Sequence, residues 1–176
     1  KSIAELFNKE AQTKIAQTMR DLPEILQKEG IDFFQGNFDE QAWRGNAQKP
    51  WKKRKNPTKW GKKDESSRKI LFKTGKLRDS IRAGKIVEDK AFVLAGGSFA
   101  PYAKAHNNGF RGKVNQNVNA FTRRVKGKEQ QVSAHNRTIN QNTPKRQFIG
   151  NPKTSTYLRA RLRRIALLEF KQVFKK

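Results

Sequence analysis

No cysteine occurs anywhere in the 176 residues. That excludes a disulfide framework and any thiolate metal site. Apolar residues are also scarce: hydrophobic types make up 34% of the chain, against roughly 45–50% (glycine included) in an average soluble domain. The core is therefore modest, and part of the chain leans on something else. No apolar run approaches the roughly 18 residues that a membrane-crossing helix needs, and no charged-then-apolar leader opens the sequence. A soluble protein of a reducing compartment, with no membrane partner, is the expectation.

Groups suited to catalysis are equally sparse. His106 and His135 are the only histidines. His106 falls inside a short helical pattern, where a packed, hydrogen-bonded side chain is the commoner role than a base. No paired-carboxylate motif, nucleophile elbow, phosphate loop or metal-ligand series is present. The expectation is a protein that is not an enzyme and takes no cofactor.

Negative charge is the other shortage: 15 acidic residues stand against 40 basic ones, for a net +25. Residues 1–48 carry −2, residues 49–76 carry +10, 77–110 carry +2, 111–152 carry +8 and 153–176 carry +7. One-sign charge on this scale destabilises a compact state by self-repulsion. Its neighbour should be a polyanion or an acidic protein surface. A stand-alone, non-specific nucleic-acid-binding protein is the competing class, because it accounts for the charge directly.

The stretch 71–109 organises the rest. Leu71-Phe72-Lys73-Thr74-Gly75-Lys76-Leu77-Arg78-Asp79-Ser80-Ile81 predicts a short helix with Thr74 as N-cap, and with Leu77 and Ile81 on one face. Ile86-Val87 and Phe92-Val93-Leu94 read as two short strands, or one bulged strand, with Glu88-Asp89-Lys90 as the turn. After Gly96-Gly97, the residues Tyr102, Ala103 and His106 share one side of a last short helix, with Gly109 as a left-handed C-cap.

Upstream, Ser2-Ile3-Ala4-Glu5 fits a capping box. Ile3, Leu6, Phe7, Ala11, Ile15, Met19 and Leu22 follow at helical spacing. Pro23 should interrupt this helix and Gly30 end it. The helix either packs on its own sheet or serves a subunit contact. Phe33, Phe34, Phe38 and Trp43 then read as a loop-anchoring core. Residues 49–69 form a basic insert in which Lys52-Lys53-Arg54-Lys55, Lys62 and Lys63 lie around Trp51 and Trp60. Such interleaving can track phosphates and stack bases, or can be a solvated loop whose tryptophans pack on the body.

Residues 110–142 form an extended arm with few apolar positions. Lys126-Gly127-Lys128 predicts the tip of a long hairpin, flanked by Arg123 and Arg124, that projects and finds order on a partner. Thr143 to Gly150 returns to the core. Asn151-Pro152 reads as N-cap and first residue of a helix over about 153–174, with Leu158, Leu162, Ile165 and Leu168 inward. The fold class is α+β: a small antiparallel sheet packed against an N-terminal and a long C-terminal helix, all in one domain over 1–176.

The residues from Leu71 to Ile81, then Tyr102-Ala103 with His106-Asn107 and Gly109, then Pro144, Arg146, Phe148, Ile149 and Gly150, occur in an order that resembles the virion-morphogenesis proteins of tailed phages, Mu-like relatives included. The resemblance covers residues 1–45 and 71–175. It implies a ring of identical subunits, six or twelve, at the head–tail junction around the DNA channel. It further implies portal or adaptor and tail-tube or terminator proteins as neighbours, possible non-specific contact with packaged DNA, and assembly in the bacterial cytoplasm. No role for the 49–69 insert or the 110–142 arm comes with it.

Overall fold

The computed structural model describes residues 3–53 and 69–174, with side chains from Asn8 onward. A 38-residue helix, α1 (Ile3–Glu40), is the longest element. It runs through both Pro23 and Gly30, where the sequence suggested an interruption and an end. The buried positions Pro23, Gln27, Gly30, Phe33, Phe34, Asn37 and Phe38 follow helical spacing, so one continuous face is buried. Gly30 is not a stop: it is buried within the helix, and a Cβ on it would meet the Val93 side chain at an ordinary contact distance of 3.4 Å. Tertiary burial therefore outweighs the roughly 1 kcal/mol by which glycine disfavours a helix. The phenylalanines expected in a loop are helical core residues.

After α1 come β1 (Ala42–Arg44) and β2 (Gln48–Pro50), then α2 (Lys76–Asp79), β3 (Arg82–Val87), β4 (Lys90–Leu94) and α3 (Ala103–Asn108). The arm follows as β5 (Phe110–Val118), β6 (Phe121–Val125), β7 (Lys128–Val132) and β8 (His135–Thr143), and α4 (Thr156–Val173) closes the chain. The fold is α+β, as expected. Its strands form four two-stranded antiparallel ladders, β1–β2, β3–β4, β5–β8 and β6–β7. The β3–β4 turn is Glu88-Asp89, both at positive φ (46° and 58°), the pattern that matches strand twist in a two-residue hairpin. Gln27 holds this hairpin on α1 by donating to the carbonyls of Gly84 and Phe92.

Capping departs from expectation in three places. Thr74 is exposed, and the N-cap of α2 is Gly75, at φ 78° with no side-chain cap. Gly109 does cap α3, but at φ 79° and ψ 157°; this region is essentially reserved for glycine and is not the left-handed helical one. Asn151 accepts from the amides of Lys153 and Thr154 and so closes a turn ahead of the helix. Ser155, fully buried, is the N-cap of α4 and accepts from the Leu158 amide. The Ser2 capping box lies outside the described residues.

The core gathers Phe33, Phe34, Phe38, Trp43, Trp51, Leu77, Ile81, Ala100, Ala103, Phe148 and Leu158. Phe38 sits 5.3 Å, centroid to centroid, from both Trp51 and Phe148. Trp51 also donates its indole N–H to the Gln147 carbonyl at 2.8 Å, which makes it an anchor and removes it from base stacking. Along α4 only Leu158 is buried; Leu162 and Ile165 are half-buried and Leu168 is exposed, where it was expected inward. One buried polar group sits among these aromatics: Asn37, fully buried, donates to the Phe148 carbonyl at 3.1 Å and accepts from Arg44 Nε at 2.9 Å.

Replacing Asn37 by leucine orphans a carbonyl and a guanidinium N–H at once. With about 1–3 kcal/mol for each buried group left unpaired, Asn37→Leu should lower unfolding stability by about 3 kcal/mol in a urea titration. Gln48→Ala, at an exposed position, should change it by less than about 0.5 kcal/mol.

Candidate functional site

Six residues from separate parts of the sequence line one cleft of about 430 Å³: Thr74, Gly75, Leu77, Tyr102, His106 and Arg146. Three short segments bring them together. The 70–77 loop is held at its start by Gln41, whose side-chain carbonyl accepts from the Ile70 amide and whose N–H₂ donates to the Ile70 carbonyl. The α3 helix contributes Tyr102 and His106, which meet edge to face at 5.8 Å. The returning 144–150 segment is laid along α3 by two sets of bonds. Arg146 N–H donates to the His106 carbonyl at 2.8 Å. Asn107 Oδ1 accepts from the amides of Phe148 and Ile149, both at 3.0 Å.

Among the described residues, the charged side chains lining the cleft are all cationic: Lys73, Lys76 and Arg146. Arg146 is 7% exposed and donates through Nε to the Lys52 carbonyl at 3.0 Å. No carboxylate among the described residues lines the cleft. His106 Nδ1 is buried and has no hydrogen-bond partner among the described residues. Burial, and then the nearby Arg146 charge, hold the imidazole below its ordinary value of 6.5, so it is neutral at pH 7. Among the described residues, no group of three or more histidines or carboxylates could hold a metal ion. No helix there is long and apolar enough to cross a membrane.

The remaining sequence-predicted residues fall elsewhere. Ile81 and Phe148 are core residues. Half-buried Pro144 follows Thr143, the last paired residue of the arm, which suits a residue with no N–H to give. Lys52 and Lys53 are exposed beside buried Trp51, while Arg54, Lys55, Lys62 and Lys63 lie outside the described residues. Arg123, Arg124, Lys126 and Lys128 are all exposed at the far end of the arm. The structure thus separates a cleft set from an arm set.

Sequence reasoning missed Gln41, Arg44 and Asn37. Asn37 was findable: it falls on the same helical face as Phe33, Phe34 and Phe38, and a polar residue on an apolar stripe signals a buried hydrogen-bond hub. Gln41, at φ 52°, had no such signal.

The arrangement is an α+β scaffold with a cationic cleft at its centre and a paired basic arm projecting from it. The phage virion morphogenesis family matches residues 2–161, most of the length, and the chain belongs to that family. It has a structural or assembly role in a bacteriophage virion. Neither the curated proteins nor the solved structures contain a match to it.

The histidine sets a pH dependence. Its folded-state value is depressed, so the unfolded chain binds the proton more readily; the stabilisation is present above pH about 6.5 and is lost as pH falls through the folded value. Acidification from pH 7 to 5 should therefore lower the melting temperature. His106→Gln should flatten that part of the curve. An unchanged pH profile in the variant would assign the acid sensitivity to other groups.

Proposed function

We propose that the chain is a non-enzymatic ring subunit of the head–tail junction, joining copies of itself to portal or adaptor proteins on one side and to tail-tube or terminator proteins on the other. The observation that carries this reading is the number of large apolar side chains left exposed. Among the described residues, twelve hydrophobic side chains are buried, while fifteen large ones are exposed, including Phe92, Leu94, Phe99, Leu167, Leu168 and Phe174. Monomeric proteins rarely leave contiguous apolar patches of more than a few hundred Å² uncovered. The outer face of β3–β4 illustrates the point: Ala91 and Val93 are half-buried, whereas Phe92 and Leu94, alternating with them, are exposed.

Such surface suits neighbours that stay in place. A head-to-tail contact between identical subunits closes into a ring when its rotation permits.

Deleting the gene should leave filled heads and separate tails that fail to join, visible by negative-stain electron microscopy. The protein expressed alone should sediment as an oligomer, and Phe92→Glu with Leu94→Glu should shift it towards monomer. Infectious particles of normal yield lacking the protein would overturn the reading.

A further inference from the structure

The β5–β8 ladder pairs nine residues on each strand without a bulge, from Phe110↔Thr143 to Val118↔His135. Side chains alternate across such a ribbon. One face carries Phe110, Val114 and Val118 with Ile139 opposite. The other carries Arg111, Lys113, Asn115 and Asn117 on β5, and Asn136, Thr138, Asn140 and Asn142 on β8. This second face has no apolar and no acidic residue, and every one of its side chains is exposed. Across residues 110–143 there are seven cations and a single carboxylate, Glu129.

We infer that the Asn/Arg/Lys face of the β5–β8 ribbon is a groove-binding surface for double-stranded DNA with little sequence preference. A two-stranded β-ribbon fits the major groove, which is about 12 Å wide. Half or more of protein–DNA hydrogen bonds run to phosphate and sugar from Arg, Lys, Asn, Thr and similar donors, the chemistry this face offers. Protein interfaces instead centre on aromatic or other desolvated anchors and are depleted in lysine; such anchors occur here on the opposite face. The inference is independent of any place at the head–tail junction, since DNA binding can be read on the isolated protein.

The test compares equal charge changes on the two faces. Asn115→Asp with Asn140→Asp places two carboxylates on the proposed DNA face; Gln116→Glu with Gln141→Glu places two on the other. Binding of a random-sequence 30-base-pair duplex to the full chain would be followed by fluorescence anisotropy across a salt series. The first pair should weaken binding about tenfold or more, and the second less than about threefold. Arg111→Gln with Lys113→Gln should lower the salt slope by about 0.9 for each phosphate no longer neutralised, whereas Arg159→Gln with Arg163→Gln on α4 should leave it unchanged. Equal effects from both faces, or a slope insensitive to the arm, would overturn the inference. So would an arm variant that loses self-association while binding DNA normally, because the ribbon's partner would then be a second copy.

Discussion

The fold turns on one side-chain amide. Asn37 is fully buried on α1, and its two ends hold two different pieces of the molecule: the Phe148 carbonyl on one side and the Arg44 guanidinium on the other. Arg44 extends the path further. Its guanidinium lies 4.3 Å from the centroid of the Phe33 ring and also donates to the Phe33 carbonyl, and its own carbonyl accepts from the buried Ser155 hydroxyl that caps α4. The long helix, the first ladder, the returning segment and the last helix thus share one polar path through an aromatic core. Buried polar groups are costly unless satisfied and give positional definition once they are. In a chain this poor in apolar residues, that definition is what fixes α4 against α1 with only Leu158 fully buried on α4.

Much of this was legible from the sequence because it rests on local rules. The order of elements from α2 to α3, the inward Leu77 and Ile81, and the arm with its turn at Lys126-Gly127 follow from two-residue alternation, helical spacing and turn chemistry. The family motifs also proved to be spatial neighbours: Thr74, Tyr102, His106 and Arg146 are far apart in the chain and meet at one cleft. What failed were inferences about where helices stop. Pro23 and Gly30 are local breakers, but the benefit of burying Phe33, Phe34 and Phe38 on one continuous face is tertiary and invisible to a window of a few residues. Capping failed for a related reason, since Ser155 was selected by the carbonyl of distant Arg44 as much as by its own helix.

The charge distribution follows the architecture. The most acidic stretch of the chain lies on α1, whose solvent side bears Glu10, Asp21, Glu24, Asp32 and Asp39. Residues 77–110 carry only +2, whereas the cations concentrate in 49–76, 111–152 and the last stretch, 153–176.

Both excursions start and finish at a single point. Trp51 and Ile70 are each bonded to Gln41, and Phe110 pairs with Thr143 immediately beyond Gly109. For the β5–β8 arm, whose two ends are fastened together by pairing, the entropy of closing the segment grows slowly with its length. Lengthening or shortening the arm beyond Phe110 and Thr143 therefore leaves the body's folding problem almost unchanged. The arm is thus a fitting that can be recut for a new partner, while the socket that receives it stays under the tight constraint of the core.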